Sequence, residues 1–352
     1  MINYTNGMFN ASWEYYPLQF NEPAITSRGS YSIKPTWFIT IKGDNGAVGV
    51  GECGVFPDLS IDDLQTVEEI LQLICNSIES WVPITADVRH RLQAFPAILF
   101  GLESAWLAVN RWHSTDYFES EFTSSGASIP VNGLIWMGDI ATMTQRINMV
   151  LAQRPPCLKI KIGAHDFAKE KQLIDYVRQH PMGHDVPLRL DANGAYELDQ
   201  AKQVLMELTP LGIHSIEQPL PASQVDDLAE LCAWSPIPIA LDESLIGIAD
   251  SKTKQHLLQQ IKPSAIVIKP SLVGGFWHAN EWVKLAATMG IDWWATSACE
   301  SNVGLMAIAQ WVGHCYNGRW NDIPTQGLGT GQLFSNNVVS TLRLKQYYLF
   351  FT

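Results

Sequence analysis

The most constraining feature of the chain is a repeat that begins at Ile129, in which a short apolar strand is followed by a helical stretch. The strand-like segments recur every roughly 25–30 residues, which is the length of one strand–helix unit. Strands joined through helices run parallel to one another. Seven segments have this character: IPVNGL (129–134), CLKIKI (157–162), PLRLDA (187–192), IHSIEQ (213–218), PIALDE (238–243), AIVIKP (265–270) and IDWWAT (291–296).

This uninterrupted series predicts an α/β fold, a (β/α)7β-type TIM-like barrel over residues 126–330, rather than an open doubly wound sheet. A dinucleotide-binding sheet is also disfavoured, because no Gly-x-Gly-x-x-Gly motif follows any of the strands. In such barrels the active site lies where the strands end. Catalytic side chains are therefore expected at the carboxyl ends of these segments.

The residues before the barrel predict a separate α+β capping domain over residues 1–125. Two β-rich runs, Trp37–Ile41 and Ala47–Gly51, flank a Lys-Gly-Asp-Asn-Gly turn that is typical of a hairpin. Helical periodicity follows, with a first helix predicted to start at a Ser60 cap and a second over residues 98–113. The segment 331–352 is predicted to be extended and to return to the capping domain.

Composition argues against several classes of function. The 352 residues carry a net charge of −12, and an acidic surface repels phosphate, so no nucleic-acid partner is expected. No apolar run is long enough to span a bilayer, and the first residues lack the pattern of a signal peptide. The six cysteines form no C-x-x-C pair, which predicts reduced thiols, packed as small hydrophobic side chains, in a cytoplasmic protein. The oligomeric state is not predictable from these features.

An ionisable residue ends each of five consecutive barrel strands. Lysines end the second and sixth strands, and carboxylates end the three strands between them, at steps of 30, 26, 25 and 27 residues. Taken singly, a strand-end Asp is commonly a helix cap and a strand-end Lys is commonly solvated. As a set in register, they are expected to meet at one barrel mouth. The six are Lys159, Lys161, Asp191, Glu217, Asp242 and Lys269.

Three neighbouring carboxylates predict a bound cation, because they would otherwise repel one another. Oxygen ligands on rigid strands suit Mg²⁺, with Mn²⁺ as a substitute, and no His or Cys ends these strands to favour zinc. A lysine near such a cation and a second ammonium group is shifted toward its neutral form, which suits a general base. We therefore predict that Lys161 moves a proton, while Lys159 keeps it poised and contacts anionic oxygen.

Two further polar residues follow the strand ends closely. Asn193 of DANGAY is predicted either to support the site or to serve as a turn residue before Gly194. Glu243, next to Asp242, is predicted to point away from the metal and either to support the site or to cap a helix.

These motifs resemble those of the enolase superfamily, over nearly the whole chain. A Lys-x-Lys motif combined with a lysine on the sixth strand is similar to the muconate-lactonising subgroup. The resemblance is carried by GECGVFP (51–57), FGLESAWLA (100–108), KIK (159–161), DANGAY (191–196), EQPL (217–220), ALDES (240–244) and IVIKPSLVGG (266–275). Within the subgroup, VNGL (131–134), KPSLVGG and QGLGTG (326–331) favour the hydro-lyases of menaquinone biosynthesis.

The resemblance implies syn dehydration of 2-succinyl-6-hydroxy-2,4-cyclohexadiene-1-carboxylate, a small-molecule carboxylate, to 2-succinylbenzoate. In that reaction Lys161 would remove the proton α to the carboxylate and return it to the departing hydroxyl. Lys159 would stabilise the ene-diolate together with Mg²⁺, and Lys269 would stabilise the anion from the opposite face. The implied metal ligands are Asp191, Glu217 and Asp242.

Substrate contacts are implied for four further residues. Asn132 belongs to VNGL, and Ser297 and Ser301 of SACES would bind the succinyl tail or, alternatively, cap a helix. Arg28, in the early loop ITSRGSY, would meet a substrate carboxylate unless it is a surface residue. That loop and GECGVFP are expected to act as lids.

Other reactions remain open on the same residues. A racemase of N-acylamino acids or a dipeptide epimerase would exchange protons between Lys161 and Lys269. Dipeptide epimerases of this subgroup generally carry an Asp-x-Asp motif near the eighth strand to hold an ammonium group. Asp322 has no second aspartate two positions away, so the resemblance disfavours dipeptides. Muconate cycloisomerisation is a weaker alternative. A non-catalytic binding barrel would be expected to lack at least one of the six charged residues, and none is missing.

Overall fold

A computed structural model describes residues 8–26, 29–111 and 116–352 of the chain. The predicted Arg28 contact lies outside these residues. The amino-terminal part forms a three-stranded antiparallel sheet in the order β1-β4-β5, next to a β2–β3 hairpin. The bounds are β1 (Phe9–Tyr15), β2 (Leu18–Thr26), β3 (Gly29–Lys34), β4 (Thr36–Gly43), β5 (Val48–Gly54), α1 (Val67–Asn76), α2 (Ala86–Arg91), α3 (Pro96–Val109) and α4 (Glu121–Ser124).

The predicted hairpin is confirmed as β4–β5, but the predicted start of the first helix is wrong. Ser60 accepts a hydrogen bond from the Phe56 backbone N–H at 2.9 Å, so it closes a turn, and α1 begins at Val67. The nearby Asp62 is also outside α1 and contacts another helix. Asp62 accepts a hydrogen bond at 3.0 Å from the backbone N–H of Ala97, in the first turn of α3.

Helix α3 lies directly on strand β5, and glycines allow this close approach. A Cβ placed on Gly51 would lie 1.8 Å from the carbonyl oxygen of Gly101, and one placed on Gly49 would lie 2.0 Å from that of Ala105. Such separations are far shorter than a carbon–oxygen contact permits. The glycines of GVGEC therefore let the strand pack against the helix backbone, while the side chain of Glu52, on the opposite face of the strand, points toward Lys34 and the backbone N–H groups of Ser301 and Gly304.

The seven predicted strands form one parallel sheet, in chain order from β7 to β13. Its outer layer is made of the intervening helices, whose apolar faces join the strands in one large core. The strands are β7 (Gly133–Ile135), β8 (Leu158–Lys161), β9 (Leu188–Asp191), β10 (Ser215–Glu217), β11 (Ile239–Leu241), β12 (Ala265–Ile268) and β13 (Asp292–Ala295). The helices are α5 (Ile140–Ala152), α6 (Phe167–Gln179), α7 (Leu198–Leu208), α8 (Val225–Trp234), α9 (Ser251–Ile261), α10 (Pro270–Val273), α11 (Gly275–Met289) and α12 (Asn302–Cys315).

The barrel is closed by a short extended segment instead of a full eighth strand. Gly327 pairs in parallel with Thr296 after β13, and Gln326 pairs with Val131 before β7. The predicted strand 129–134 is consequently divided. Its first part, β6 (Ile129–Pro130), belongs to another sheet, and only β7 belongs to the barrel.

The last part of the chain contacts both regions. The strands β14 (Leu342–Lys345) and β15 (Tyr348–Phe351) form a hairpin, and β15 pairs with β6 at the start of the barrel. Upstream of the hairpin, the Asn21 N–H donates to the carbonyl of Leu333 at 2.8 Å, which is a contact with β2. The boundaries 1–125, 126–330 and 331–352 stay a prediction. Within the described ranges, no helix is both long and apolar enough to cross a bilayer.

Candidate active site

The strand-end lysines and carboxylates meet at the carboxyl ends of β8–β12. Parallel register places Lys161 beside Asp191 and aligns Asp191 with Glu217. The Lys159 ammonium donates to both Glu217 oxygens at 2.7 and 2.8 Å and lies 3.0 Å from Asp191 Oδ2. At the other end of the row, Lys269 forms an ion pair with Asp242. The predicted convergence of the six residues is therefore present.

Lys161 differs from the other two lysines because it also contacts an amide. Its Nζ lies 3.0 Å from Asp191 Oδ2 and 2.7 Å from Asn193 Oδ1. The Asn193 Nδ2 group donates in turn to Glu243 Oε1 at 3.0 Å. Asn193 has a φ of +46°, so it occupies a turn and supports the site at once. These hydrogen bonds, from Lys161 through Asn193 to Glu243, hold the Lys161 ammonium group at the mouth of the barrel.

Burial of so many charged groups shifts the pKa values of the strand-end residues. Burial is the largest influence on the pKa of Glu217, and the neighbouring Asp191 and Asp242 add to it, which raises that pKa to about 8 despite Lys159. Burial acts to lower the pKa of Lys159, but Asp191, Glu217 and Asp242 together raise it above its ordinary value. The three carboxylates are thus stable as anions only when enough positive charge is close to them.

The donor set fits a hard divalent cation. Asp191, Glu217 and Asp242 are almost completely buried and supply only oxygen, on three adjacent rigid strands. In the structure these carboxylate oxygens point toward lysines. Among the described residues, no group of three or more Asp, Glu, His or Cys side chains is already arranged to bind a metal. A cation would supply the positive charge that Glu217 requires. We therefore regard these three as candidate ligands.

A cavity opens directly above the charged row. Its lining combines strand-end residues with loops and with two side chains from the amino-terminal part, Phe56 and Leu59. Trp136, after β7, forms part of the same wall, and the Lys161 ammonium lies 5.7 Å from the centre of its ring. The other lining residues are Asn132, Leu134, Lys159, Asp191, Asn193, Lys269, Thr296, Ser297, Ala298, Cys299, Gly327 and Thr330.

Three residues that line the cavity have buried polar atoms without a hydrogen-bond partner. These atoms are Asn132 Oδ1, Thr296 Oγ1 and Thr330 Oγ1. The Asn132 Nδ2 group already donates to the carbonyl of Gly133 at 2.9 Å, so its free oxygen is an acceptor. Buried polar groups are nearly always paired, and unpaired ones beside a cavity are natural partners for a ligand. Asn132 was predicted as a substrate contact, whereas Thr296 and Thr330, which lie in IDWWAT and QGLGTG, were not.

The two predicted serine contacts have different positions. Ser297 lines the cavity, and its hydroxyl donates to Glu300 Oε2 at 2.6 Å. Ser301 is fully buried at the N-terminus of α12, where its Oγ accepts from the Val303 N–H at 3.1 Å and donates to Glu52 Oε2 at 2.5 Å. The structure therefore supports the capping alternative for Ser301, since its hydroxyl is already engaged away from the cavity.

A cysteine also contributes to the cavity wall. Cys299 is buried against Phe56, Leu18 and Phe334, and burial raises the pKa of its thiol to about 11. A thiol that holds its proton so firmly is a poor nucleophile. All six cysteines are free, as the sequence predicts, and Cys299 acts here as a small apolar side chain.

Comparison with known proteins connects this geometry to a family. A sequence model of the enolase C-terminal domain-like family matches residues 142–338. The o-succinylbenzoate synthase of Desulfotalea psychrophila is 40% identical over 94% of this chain and 96% of its own length. The L-amino acid-D/L-Glu epimerase of Francisella philomiragia is 26% identical over 76% of both chains.

Solved structures give the same result for the fold. The crystal structure of MenC from Desulfotalea psychrophila superposes with a TM-score of 0.81 at 37% identity, covering 97% of this chain and 99% of the other. An o-succinylbenzoate synthase from Thermosynechococcus elongatus, solved with Mg in its active site, has a TM-score of 0.72 at 23% identity, covering 94% and 96% of the two chains. The barrel with an amino-terminal antiparallel unit is thus a known architecture.

Proposed function

The chain belongs to the enolase C-terminal domain-like family, and on that premise we propose that it acts as an o-succinylbenzoate synthase of menaquinone biosynthesis. The proposed reaction is the Mg²⁺-dependent loss of water from 2-succinyl-6-hydroxy-2,4-cyclohexadiene-1-carboxylate. The observation that carries the proposal is the cavity bordered by three lysines and next to three buried carboxylates. The near full-length relationship to a synthase of this kind selects the substrate.

The charges of the site suit a doubly anionic substrate. Three protonated lysines and three carboxylates cancel one another, so a divalent cation would leave an excess of two positive charges, or of one once Lys161 has lost its proton to act as the base. The proposed substrate carries two carboxylates, one on the ring and one on the succinyl tail, and these would offset the positive charge. The orphaned hydroxyls of Thr296 and Thr330 would each gain a partner among its oxygens.

The proposed mechanism depends on a base that acts on one face of the ring. Lys161, as the neutral amine, would take the proton from the carbon α to the ring carboxylate, which becomes an ene-diolate. The same ammonium group would then give that proton to the hydroxyl on the neighbouring carbon, which leaves as water while the ring becomes aromatic. Lys159 and Lys269 would stabilise negative charge without moving a proton. A divalent cation held by Asp191, Glu217 and Asp242 would neutralise charge on the ene-diolate oxygens.

The decisive experiment follows the diene absorbance of the substrate with Mg²⁺ and with a chelator. Rapid loss of absorbance that depends on the metal is expected. Replacing Mg²⁺ with Mn²⁺ is proposed to retain activity, because Mn²⁺ also favours oxygen ligands. A protein that leaves the diene unchanged under all these conditions would not be a synthase.

Racemisation of N-acylamino acids is the second candidate. It is favoured by the position of Lys269 across the carboxylate row from Lys161, which would suit proton exchange on two faces. Exchange of the α-proton in heavy water would identify this activity. Dipeptide epimerisation has less support, because Asp322 is exposed at the end of a short 3-10 helix and does not line the cavity.

We also propose a cytoplasmic location and no nucleic-acid partner. The six free thiols and the net charge of −12 support these two proposals.

A further inference from the structure

The loop between β13 and α12 is part of the cavity wall and has a strained backbone. Ser297, Ala298 and Cys299 all line the cavity. Cys299 has a φ of +59°, in the left-handed region that is unfavourable for a residue with a side chain. A neighbouring group must therefore hold this loop in place.

Lys34 of strand β3 is such a group. Its side chain is completely buried, and its Nζ donates to the carbonyl oxygen of Cys299 at 2.9 Å. Gly54 leaves room for this side chain, because a Cβ at that position would lie 2.5 Å from the Lys34 ammonium. Lys34 thus bonds directly to the strained residue from the other part of the molecule.

Glu52 of strand β5 holds the next residues of the same loop. Its carboxylate accepts the N–H of Ser301 at 2.9 Å, the hydroxyl of Ser301 at 2.5 Å and the N–H of Gly304 at 2.9 Å. Burial raises the pKa of Glu52, and Lys34 and the hydrogen bonds from Ser301 act against that rise, since a negative charge is favourable at the N-terminus of α12. Glu52 also lies 3.6 Å from Lys34, so the two form a buried pair.

We propose that Lys34 and Glu52 are positioning residues for the loop 297–301, which forms part of the cavity wall. Both residues belong to the amino-terminal part of the chain and hold this loop in the position that binds the substrate. Lys34 fixes the carbonyl of Cys299, and Glu52 fixes the start of α12. These two contacts thereby determine the positions of Ser297 and Ala298 in the cavity wall. This inference rests on the proposed function for its substrate, but the positioning itself depends only on the loop. The Lys34–Glu52 pair does not hold any of the six strand-end groups. Loss of the pair should therefore affect substrate binding, and hence KM, more than the chemical step measured by kcat.

The kinetic test compares Lys34→Met with Lys254→Met. Lys254 is also completely buried and pairs with Glu281 at 2.6 Å, but it lies between α9 and α11 and does not line the cavity. We expect Lys34→Met to raise KM about tenfold with kcat changed less than about threefold, and Lys254→Met to leave KM unchanged. An unchanged KM in Lys34→Met would overturn the proposal.

A double-mutant cycle of Lys34→Met and Cys299→Gly tests whether Lys34 acts by holding the backbone of Cys299. Glycine adopts a φ of +59° without strain, so the loop should need Lys34 less. The effect of Lys34→Met on KM is expected to be at least threefold smaller in the Cys299→Gly background. Strict additivity of the two substitutions would show that Lys34 does not act through the backbone of Cys299.

A measurement that does not depend on the substrate separates this proposal from the proposed function. Hydrogen–deuterium exchange of a peptide covering residues 297–304 is expected to be at least tenfold faster in Lys34→Met than in the parent or in Lys254→Met. If the parent does not dehydrate the diene, the function fails while this result still tests the anchors. Equal exchange in all three proteins would overturn the anchoring.

Glu52→Gln provides a second variant should Lys34→Met fail to fold. Glutamine keeps the shape and one acceptor oxygen but lacks the charge. The same peptide is expected to exchange about threefold faster than in the parent, and an unchanged rate would remove Glu52 from the proposal.

Discussion

The charged row at the strand ends and the wall of the cavity differ in how they are built. Each group of the row stands on or directly after a β-strand and is held by ion pairs to its neighbours, such as Lys159 with Glu217. The wall comes from separate loops and from both parts of the chain, and Phe56, Cys299 and Thr330 line one cavity. A rigid scaffold suits chemistry that needs fixed geometry, whereas loops can vary with the substrate.

The largest difference between the two regions is expected when the proposed base is removed. Lys161→Ala should lower kcat by roughly 10³-fold, because general-base catalysis is lost, while KM changes little. Kinetics with the diene substrate, together with thermal unfolding, would measure it. Lys171→Ala is the control, since Lys171 pairs with Asp175 on helix α6 away from the cavity. Substantial remaining activity in Lys161→Ala would exclude Lys161 as the base.

A change within the carboxylate row should affect the metal before the substrate. Asp242→Asn should raise the Mg²⁺ concentration needed for half-maximal activity by at least about tenfold, as one charged ligand is lost. The loss should be visible also as weaker metal binding by calorimetry. Asp250→Asn, at the cap of α9, keeps its capping oxygen and serves as the control. An identical Mg²⁺ titration would remove Asp242 from the ligand set.

A change in the wall should separate stability from binding. Thr296→Val keeps the shape of the side chain but removes a buried hydroxyl that has no partner. We expect a melting temperature equal to or above that of the parent, and a KM raised roughly fivefold because a substrate hydrogen bond is lost. Thr144→Val removes a hydroxyl that donates to the Ile140 carbonyl at 2.7 Å, so it should lower stability without changing KM. A stability loss in Thr296→Val with unchanged KM would contradict the assignment.

The smallest effect concerns Asp62, a buried carboxyl group shortly after the cavity-wall residues Phe56 and Leu59 in the sequence. Burial raises the pKa of Asp62 to about 7 from 3.8, against the hydrogen bond from Ala97. The folded protein thus keeps a proton that the unfolded chain loses, and the free energy of unfolding should fall as pH rises from about 4 through 7. Asp62→Asn should flatten this dependence, as measured by denaturant titration at several pH values. Asp63→Asn, at the exposed neighbour, should not.

The same contrast explains which features are predictable from sequence. Strand periodicity locates Asp191, Glu217 and Asp242 because each side chain belongs to the strand that carries it. The sequence leaves Ser301 open between a substrate contact and a helix cap, and only the fold shows that its hydroxyl donates to Glu52, which is distant in sequence. No local pattern records such a contact, nor the convergence of Thr296 with Thr330. The start of α1 was misplaced for a related reason, since Asp62 caps a different helix.

The way the barrel is closed has a consequence for how the chain reaches its native state. The closing partner of Val131 is Gln326, and that of Ile129 is Leu349, so both pairings join the beginning of the barrel to segments made much later. Contacts between remote segments are reached slowly, because the entropy of the intervening chain is lost before they form. During synthesis, the early strands would therefore wait with an unpaired edge until the last hairpin leaves the ribosome. A chain halted before residue 326 would present that edge as a site for aggregation or chaperone binding.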